Sequence, residues 1–335
     1  MDWIIDITLL AMLMVTAVAI AWTRHLFSAV MLASIYGLVS ASFFVAMDAV
    51  DVAFTEAAVG AGISPLLMLV TLRMVGAKEA TSHNHPYAAL IIVAVVGVLL
   101  LLGEQDLPAF GSADAPAHGH VAPHYLQESA AEIGIPNVVT SVLASYRAFD
   151  TLGEVAVIFT AGIGVMALLF SDTPVHLRNL PNTSRSTMED QVIPRVVGKI
   201  LIPPIMLFAL YVQFHGEYGP GGGFQAGVIF ASAVIVYVML FGLDAAMQVV
   251  SVSWLRFLAA CGLLLYGAVG VVCLLAGKNF LDYNALLPDH IAAQHLGILV
   301  IELGVGVTVA CVVMLLFFAF VGRIPHLPDH EARDG

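Results

Sequence analysis

Nine apolar runs, each long enough to cross a lipid bilayer, constrain the fold of this chain more than any other feature. A membrane-spanning helix needs about 20 mostly apolar residues, and it pairs its backbone polar groups within itself. The run 257–277 contains no charged residue, and the run 301–321 contains only Glu302. Charged residues make up 11% of the chain, against about 25% in an average globular protein. We therefore predict an all-α polytopic transmembrane bundle of about nine spans.

The connections between the predicted spans alternate between the two sides of the membrane. The spans are predicted at 3–22, 26–47, 52–75, 86–103, 152–170, 197–214, 223–243, 254–276 and 295–321. One side then holds Arg24, Arg73, Lys78, Arg178, Arg185, Arg195, Lys199, Arg256, Arg323 and Arg333. The other side holds only Arg147 and Lys278. Because cytoplasmic connections carry the excess of basic residues, we predict an outside N-terminus and a cytoplasmic C-terminus. The predicted location is a prokaryotic inner (plasma) membrane.

Charge, cysteine positions and the N-terminus exclude several other classes of protein. The formal net charge of −12 gives no support for nucleic-acid binding. Cys261, Cys273 and Cys311 all lie in apolar runs, so neither disulfides nor a CxxC metal pattern is predicted. Met1-Asp2 supplies no basic segment, so no cleavable signal peptide is predicted. No P-loop, zinc-protease helix, nucleophile elbow or haem motif is present, and we predict no cofactor.

The connection 104–151 is predicted to face outside, and its two halves differ. The first half is rich in Gly, Ala and Pro and contains three histidines: His118, His120 and His124. They could bind a metal ion, but Pro116 and Pro123 argue against one helical ligand face and no cysteine is close. A solvated loop is the preferred interpretation, and no metal site is predicted. The apolar stretch 135–145 predicts a short helix lying at the membrane interface before the fifth span.

Ionisable residues within or beside the spans are the candidates for ion translocation. They are Glu56 in the third span, Glu154 opening the fifth, Lys199 and His215 at the two ends of the sixth, and Glu302 in the ninth. A charged group inside the membrane costs about 2.5–3.5 kcal/mol on insertion scales, so it usually faces the bundle interior or water. The alternative is structural, with each glutamate capping a helix, pinning a helix contact or reaching the headgroups. We favour function, or a polar contact between subunits, for Glu56 and Glu302.

Two segments of small residues are expected to shape the bundle. Gly60, Gly62 and Pro65 in the third span predict close helix packing or a kink. Between the sixth and seventh spans a tight hairpin is predicted at Pro220, Gly221, Gly222, Gly223, Phe224 and Gln225. The stretch 221–226 fits the pattern GxGxxA, but no strand precedes it, so we reject dinucleotide binding. Irregular backbone of this kind near the bilayer must be covered by protein or line a cavity.

Three motifs resemble components of one group of multisubunit membrane complexes. The segment His215-Gly-Glu-Tyr-Gly-Pro-Gly-Gly-Gly-Phe-Gln-Ala-Gly227 resembles the HGxxxPGGGFQxG motif of MrpB, a component of the multisubunit Na+/H+ antiporter called Mrp or Mnh. The stretch from Asn137 to Glu154 is similar to NxVxxxLxxxRxFDTLGE, found in the C-terminal part of MrpA or in a small component of membrane-bound hydrogenases. The run 51–62 resembles the DVAxTEAAVGAG run of the adjacent three-span unit.

The resemblance implies three fused units. Residues 1–80 would form a three-span module like the C-terminal region of MrpA. Residues 81–175 would form a two-span module with the outside connection and the interfacial helix. Residues 195–325 would form a four-span module like MrpB. The stretch 104–134 resembles nothing that we recognise.

The resemblance also implies a function. Such modules carry out no redox chemistry, sit in the bilayer beside large antiporter-like subunits and other small membrane subunits, and help form or gate a path for H+ or Na+. The chain would thus be a membrane subunit of a cation/proton antiporter complex and not an enzyme. Glu56 and Glu154 match acidic positions thought to serve ion translocation, and Asp150 matches a motif position.

We therefore expect Glu56 and Glu154 to form a relay that exchanges protons or binds Na+. Lys199, His215 and Glu302 would tune a second route, and the Gly-rich motif would serve the ion path or packing. Two alternatives stay open: a purely structural docking module, and a subunit of a redox-driven or otherwise reaction-coupled complex of the hydrogenase type. A self-sufficient transporter is disfavoured, because the chain lacks a recognisable large antiporter core.

Overall fold

The computed structural model describes residues 2–79, 86–109, 111–170 and 191–322. Within these ranges nine helices are long and apolar enough to cross a membrane. They are α1 (Asp2–Trp22), α2 (Leu26–Ala46), α3 (Val50–Val75), α4 (Pro86–Glu104), α5 (Ala148–Phe170), α6 (Val192–His215), α7 (Gly223–Phe241), α8 (Val252–Leu275) and α9 (His290–Val321). The predicted all-α polytopic bundle is confirmed.

Several helices begin earlier than the apolar runs predicted. The fifth begins at Ala148, the sixth at Val192 and the ninth at His290. Hydropathy does not detect side-chain caps, which can fix the start of a helix. At α9, for example, the side chain of Asp289 accepts a hydrogen bond of 2.7 Å from the backbone N–H of Ala292.

Helix α3 is interrupted by a π-helical segment, Ala57–Ile63, at the predicted cluster of small residues. Pro65 has no N–H to offer the carbonyl of Ala61, four residues earlier. The hydroxyl of Ser34 on α2 donates to that carbonyl instead, at 3.1 Å. A Cβ atom on Gly37 would lie 2.6 Å from the carbonyl carbon of Gly60, so glycine is needed where α2 crosses α3. The expected close packing and the irregular helix are therefore both present.

Helix α9 is the core of the bundle, and glycines let its neighbours approach it. A Cβ atom on Gly227 of α7 would lie 2.7 Å from the carbonyl oxygen of Gly306. A Cβ atom on Gly262 of α8 would lie 2.6 Å from the carbonyl oxygen of Gly304. Where α8 crosses α9, the hydroxyl of Thr308 on α9 also donates a hydrogen bond of 3.2 Å to the carbonyl of Ala259 on α8. Close backbone approach through small residues is the usual way in which membrane helices associate.

The short helix predicted before α5 is present, and it packs against the bundle. It consists of an α-helical turn, Val138–Ser141, and a π-helical turn, Val142–Tyr146. The hydroxyl of Tyr283 donates to the carbonyl of Ala144 at 2.7 Å. Burial raises the pKa of Tyr283 far above its usual range, so this hydroxyl remains a donor. Ala144 in this segment is buried, whereas Val139 and Leu143 are exposed, and the position of the segment at the membrane interface stays a prediction.

The first half of the connection between α4 and α5 is more ordered than the expected loop. It contains two helices, Pro116–Gly119 and Val121–Glu132. His124 lies 3.5 Å from Glu132, between Nε2 and a carboxylate oxygen. Among the described residues, no group of three or more His, Cys, Asp or Glu side chains could hold a metal ion.

The connections between helices meet at two ends of the bundle, as nine alternating spans require. At one end, the backbone N–H of Leu26 donates to Ala77 and that of Glu79 to Arg24. At the other end, the backbone N–H of Asn137 donates to the carbonyl of Glu217 in the connection between α6 and α7. We call this second end the turn end.

Two of the three glycines of α8, Gly262 and Gly267, give a matched test of the packing. We expect Gly262→Ala to destabilise the folded chain by about 1–3 kcal/mol, because the added methyl group would overlap α9. Gly267 has nothing within 4 Å of an added Cβ atom. Gly267→Ala should therefore be neutral or stabilising, since alanine favours a helix by about 1 kcal/mol over glycine.

Thermal unfolding of the two variants in detergent, followed by size-exclusion chromatography, measures the difference. Equal melting temperatures for the two variants would contradict the glycine crossing of α8 and α9.

Candidate functional site

The candidate site is built around the seven-residue turn Gly216–Gly222, which joins α6 to α7. The backbone N–H of Gly222 donates to the carbonyl of Val212 at 3.1 Å, which folds the turn back onto the end of α6. A Cβ atom on Gly221 would lie 2.7 Å from that same carbonyl oxygen. Gly222 has a φ of 118°, a conformation that favours glycine. The predicted tight hairpin is present, and its backbone requires glycine at these positions.

Asn137 holds the turn in place. Its side-chain amide nitrogen donates to the carbonyls of Gly216 at 3.2 Å and Gly219 at 3.0 Å. The same nitrogen lies 3.4 Å from a carboxylate oxygen of Asp51, at the start of α3. Thr140 adds a hydrogen bond of 2.6 Å to the carbonyl of Gly216. Carbonyls that no helix satisfies are thus paired by side chains from the segment before α5.

Two further contacts tie the turn region to other helices. His295 on α9 lies 2.9 Å from Glu217 in the turn, between Nδ1 and a carboxylate oxygen. Gln225 on α7 donates from its side-chain amide to the hydroxyl of Thr55 on α3, at 2.8 Å. The turn end therefore joins α3, α7, α9 and the segment before α5 through polar side chains.

Three carboxylates approach one another beside the turn. The Oε1 atom of Glu302 lies 3.2 Å from the position that a Cβ atom on Gly222 would take, so this carboxylate faces the turn. Glu217 and Asp51 lie close enough to interact electrostatically with Glu302. No described residue donates a hydrogen bond to the Glu302 carboxylate, whereas Asp51 receives the amide of Asn137. A group of carboxylates with spare acceptor capacity can take up protons or cations.

Of the five residues predicted to carry ions, two lie beside the turn. They are Glu302 and His215, whose ring stacks on Tyr211 with centroids 4.9 Å apart. Glu56 is half-buried and its carboxylate lies against Gly60 in the π-helical segment of its own helix.

The other two predicted residues are Glu154 and Lys199. Glu154 is exposed on α5. Lys199 lies at the opposite end of the bundle, with its amine 5.3 Å from the centre of the Phe241 ring.

The motif residues that were expected to pack fall into two groups. Gly223 touches α9 closely, since a Cβ atom there would lie 2.9 Å from Cβ of Val305. Phe224 packs against the apolar core. Pro220 is exposed, and Asp150 is exposed and pairs with Arg147 at 2.5 Å.

Sequence analysis missed several residues that build the site: Asp51, Thr55, Asn137, Thr140, Glu217 and His295. A signal existed for two of them, because Asp51 and Asn137 are the first residues of two quoted motifs. Both also lie in connections that the alternation assigns to the same side as the turn. For His295 there was no signal, since its contact with Glu217 depends on the packing of α9.

Comparison with known proteins identifies the family. Three family models match separate parts of the chain: a domain related to the MnhB subunit of Na+/H+ antiporter over residues 193–315, the MBH component MbhD over 11–77 and the MBH component MbhE over 90–178. A putative antiporter subunit mnhB2 of Staphylococcus aureus (strain Newman) is 32% identical over 131 residues, which cover 36% of this chain and 92% of that protein. The chain belongs to the Mrp/Mnh antiporter subunit family.

A longer relative and two solved structures match most of the chain. A probable K(+)/H(+) antiporter A/B subunit of Rhizobium meliloti (strain 1021) is 27% identical over 74% of this chain, which spans only 27% of that protein. A chain of the Mrp complex from Dietzia sp. DQ12-45-1b has the same fold, with a TM-score of 0.74 and 24% identity over 93% of this chain and 34% of its own length. A chain of the membrane-bound sulfane sulfur reductase, an archaeal respiratory membrane complex, has a TM-score of 0.53 and 26% identity over 70% of this chain and 97% of its own length.

These matches confirm the resemblance that the motifs carried, an MrpB unit fused to the C-terminal part of MrpA. They also show which parts of the chain contribute residues to the site. Asp51, Asn137 and the turn Gly216–Gly222 each lie in a segment that a different family model matches, and the fold brings the three together. The multi-pass chain thus joins its three matched parts at the turn end.

Replacing Asn137 should loosen the turn. We expect Asn137→Ala to speed amide exchange over residues 211–224 by about 10–100-fold, because each lost hydrogen bond contributes about 1 kcal/mol. Hydrogen exchange read by mass spectrometry on the purified protein measures this. Asn279→Ala is the control, since Asn279 is exposed in another connection at the same end. Similar exchange in both variants would show that Asn137 does not hold the turn.

Proposed function

We propose that the chain is a membrane subunit of a multisubunit cation/proton antiporter complex and that it contributes to a path for H+ or Na+. The observation that carries the proposal is the group formed by Glu302, Glu217 and Asp51 beside the Gly-rich turn. The names of its relatives, a Na+/H+ antiporter domain and a K(+)/H(+) antiporter subunit, support transport of a monovalent cation. In this proposal the chain has no catalytic chemistry of its own, and its partners are large antiporter-like subunits and other small membrane subunits.

Glu302 is the central residue of the proposed path. It lies in the most deeply buried of the candidate spans, and its carboxylate faces the turn without a hydrogen-bond donor among the described residues. Three carboxylates close together repel one another when all are charged, and a proton or a cation between them relieves the repulsion. Uptake and release of such an ion is the elementary step of a translocation path.

We assign Glu56 and Glu154 to two separate parts of the path and not to one direct relay. Glu56 follows Asp51 on α3 by five residues, or about 7.5 Å along a helix, so it can extend the path inward from the turn. Glu154 is exposed on α5. We therefore propose that Glu154 serves a path completed by a neighbouring subunit, rather than receiving an ion directly from Glu56.

Removing the charge of Glu302 tests the proposal. We expect Glu302→Gln to lower cation-dependent proton transport by about tenfold or more, because an amide of the same shape cannot exchange a proton. Transport is measured as a pH change in vesicles that contain the complex. Glu128→Gln is the control, because Glu128 is exposed on the helix Val121–Glu132.

Full transport by an assembled Glu302→Gln complex would favour the purely structural alternative. In that case the glycine faces of α7, α8 and α9 would only position other subunits.

One of the solved structures supports a second candidate function, as a subunit of a reaction-coupled complex. The fold is shared with a chain of an archaeal respiratory membrane complex, the membrane-bound sulfane sulfur reductase. The same polar group would then serve an ion path driven by a reaction in other subunits. Mass spectrometry of the gently purified native complex separates the two, because iron–sulfur subunits would accompany the chain only in a reaction-coupled complex.

We also propose that the turn end faces outside and the opposite end faces the cytoplasm. The excess of basic residues on the side opposite to the turn supports this orientation. Lys78 and Lys278 are both exposed, and they lie in connections at opposite ends.

Labelling of single cysteines tests the orientation. In intact cells, a maleimide that cannot cross the membrane should label Lys278→Cys and leave Lys78→Cys unlabelled. Both should be labelled after the cells are opened. The reverse pattern in intact cells would invert the proposed topology.

A further inference from the structure

A groove lies between α5, α8 and α9, in the half of the bundle away from the turn. It has a volume of about 120 Å³. Its lining is apolar except for one arginine: Phe159, Gly162, Ile163, Met166, Arg256, Ala259, Val312 and Leu315. An apolar cavity of about 150 Å³ in a protein can hold a benzene molecule, so this groove can accept part of a hydrocarbon chain. Gly162 and Ala259 are small, and this leaves space between the larger side chains.

The groove runs along the helix axes, with its charged residue near the membrane surface. Arg256 lies in the first turns of α8, close to the end of the bundle opposite the turn. Met166 is near the last residue of α5, and Phe159 is seven residues deeper, or about 10 Å at the rise of an α-helix. On α9, Leu315 is likewise closer to the helix end than Val312. The charged group therefore lies at the shallow end, and the apolar lining extends toward the centre of the bilayer.

Arg256 has no acidic partner in the part of the chain that the structure describes. Its side chain is exposed beside the groove. Trp254, one half-turn earlier, is 62% exposed and contacts Phe257 edge to face. Exposed tryptophan is enriched at the level of the lipid headgroups. This places the guanidinium where a headgroup phosphate would be found.

We propose that this groove binds one anionic phospholipid. Arg256 holds the phosphate through charge-assisted hydrogen bonds, for which the planar guanidinium is well suited. One acyl chain lies in the groove between α5, α8 and α9. Basic pockets between membrane helices are known sites for acidic headgroups. The site is separate from the polar group at the turn end and does not depend on the transport proposed above.

Native mass spectrometry of the purified protein, with any subunits that accompany it, tests the site. After washing in mild detergent, the wild type should retain one phosphatidylglycerol or cardiolipin molecule per chain. We expect Arg256→Gln to retain about tenfold less, and Arg256→Lys to retain an intermediate amount. Arg73→Gln is the control, because Arg73 is exposed at the same end of the bundle and lines no part of the groove.

A photoreactive phenylalanine analogue in place of Ile163 identifies the occupant directly. Cross-linking should give an adduct with an anionic phospholipid, and the adduct should be lost when Arg256→Gln is added. Cross-linking to another protein subunit would overturn the proposal and assign the groove to a subunit interface. Equal retention of anionic lipid by the wild type and Arg256→Gln would overturn it as well.

Discussion

Backbone groups released where a membrane helix is interrupted must be paired by protein, because hydrocarbon offers them no hydrogen-bond partner. At three such places in the described bundle, a side chain from another element supplies a hydrogen-bond donor. Asn137 satisfies the Gly-rich turn, Ser34 the π-helical segment of α3, and Tyr283 the turn before α5. This explains why segments that three separate family models match are packed into one unit.

The spans and the chemistry of the turn could be predicted from the sequence, because both depend on local composition. Apolar length identified all nine helices, and the glycines of the turn indicated a hairpin that has no room for side chains. The proximity of Asp51 and Asn137 to the turn could be predicted, because the alternation of the spans places their connections at the same end of the bundle as the turn. The contact between His295 and Glu217 could not, because it depends on the rotation of α9 about its axis. The same limit applies to the expected relay, since sequence spacing could not show that the side chain of Glu154 is exposed on α5.

The group of carboxylates carries an electrostatic cost that the surrounding structure meets only in part. Asp51 lies near the amide of Asn137 and the backbone N–H of Gly221, each at 3.4 Å, and Glu217 pairs with His295. Glu302 has no such donor among the described residues. A carboxylate held beside two others in a membrane helix is destabilising unless it gains a proton or a cation. An acidic residue at this position in a core helix is therefore better explained by ion exchange than by packing.

The exposed surfaces of α4 and α5 support the same interpretation. Glu154 lies six residues into α5, about 9 Å from the helix start, and its side chain is exposed. In a chain surrounded only by lipid, that carboxylate would face hydrocarbon at a cost of up to about 2.5–3.5 kcal/mol. Helix α4 has no buried side chain in its most apolar stretch, so it adds almost nothing to the core. The exposure of Glu154 and of α4 is explained if a neighbouring membrane subunit packs against them, as the proposed complex requires.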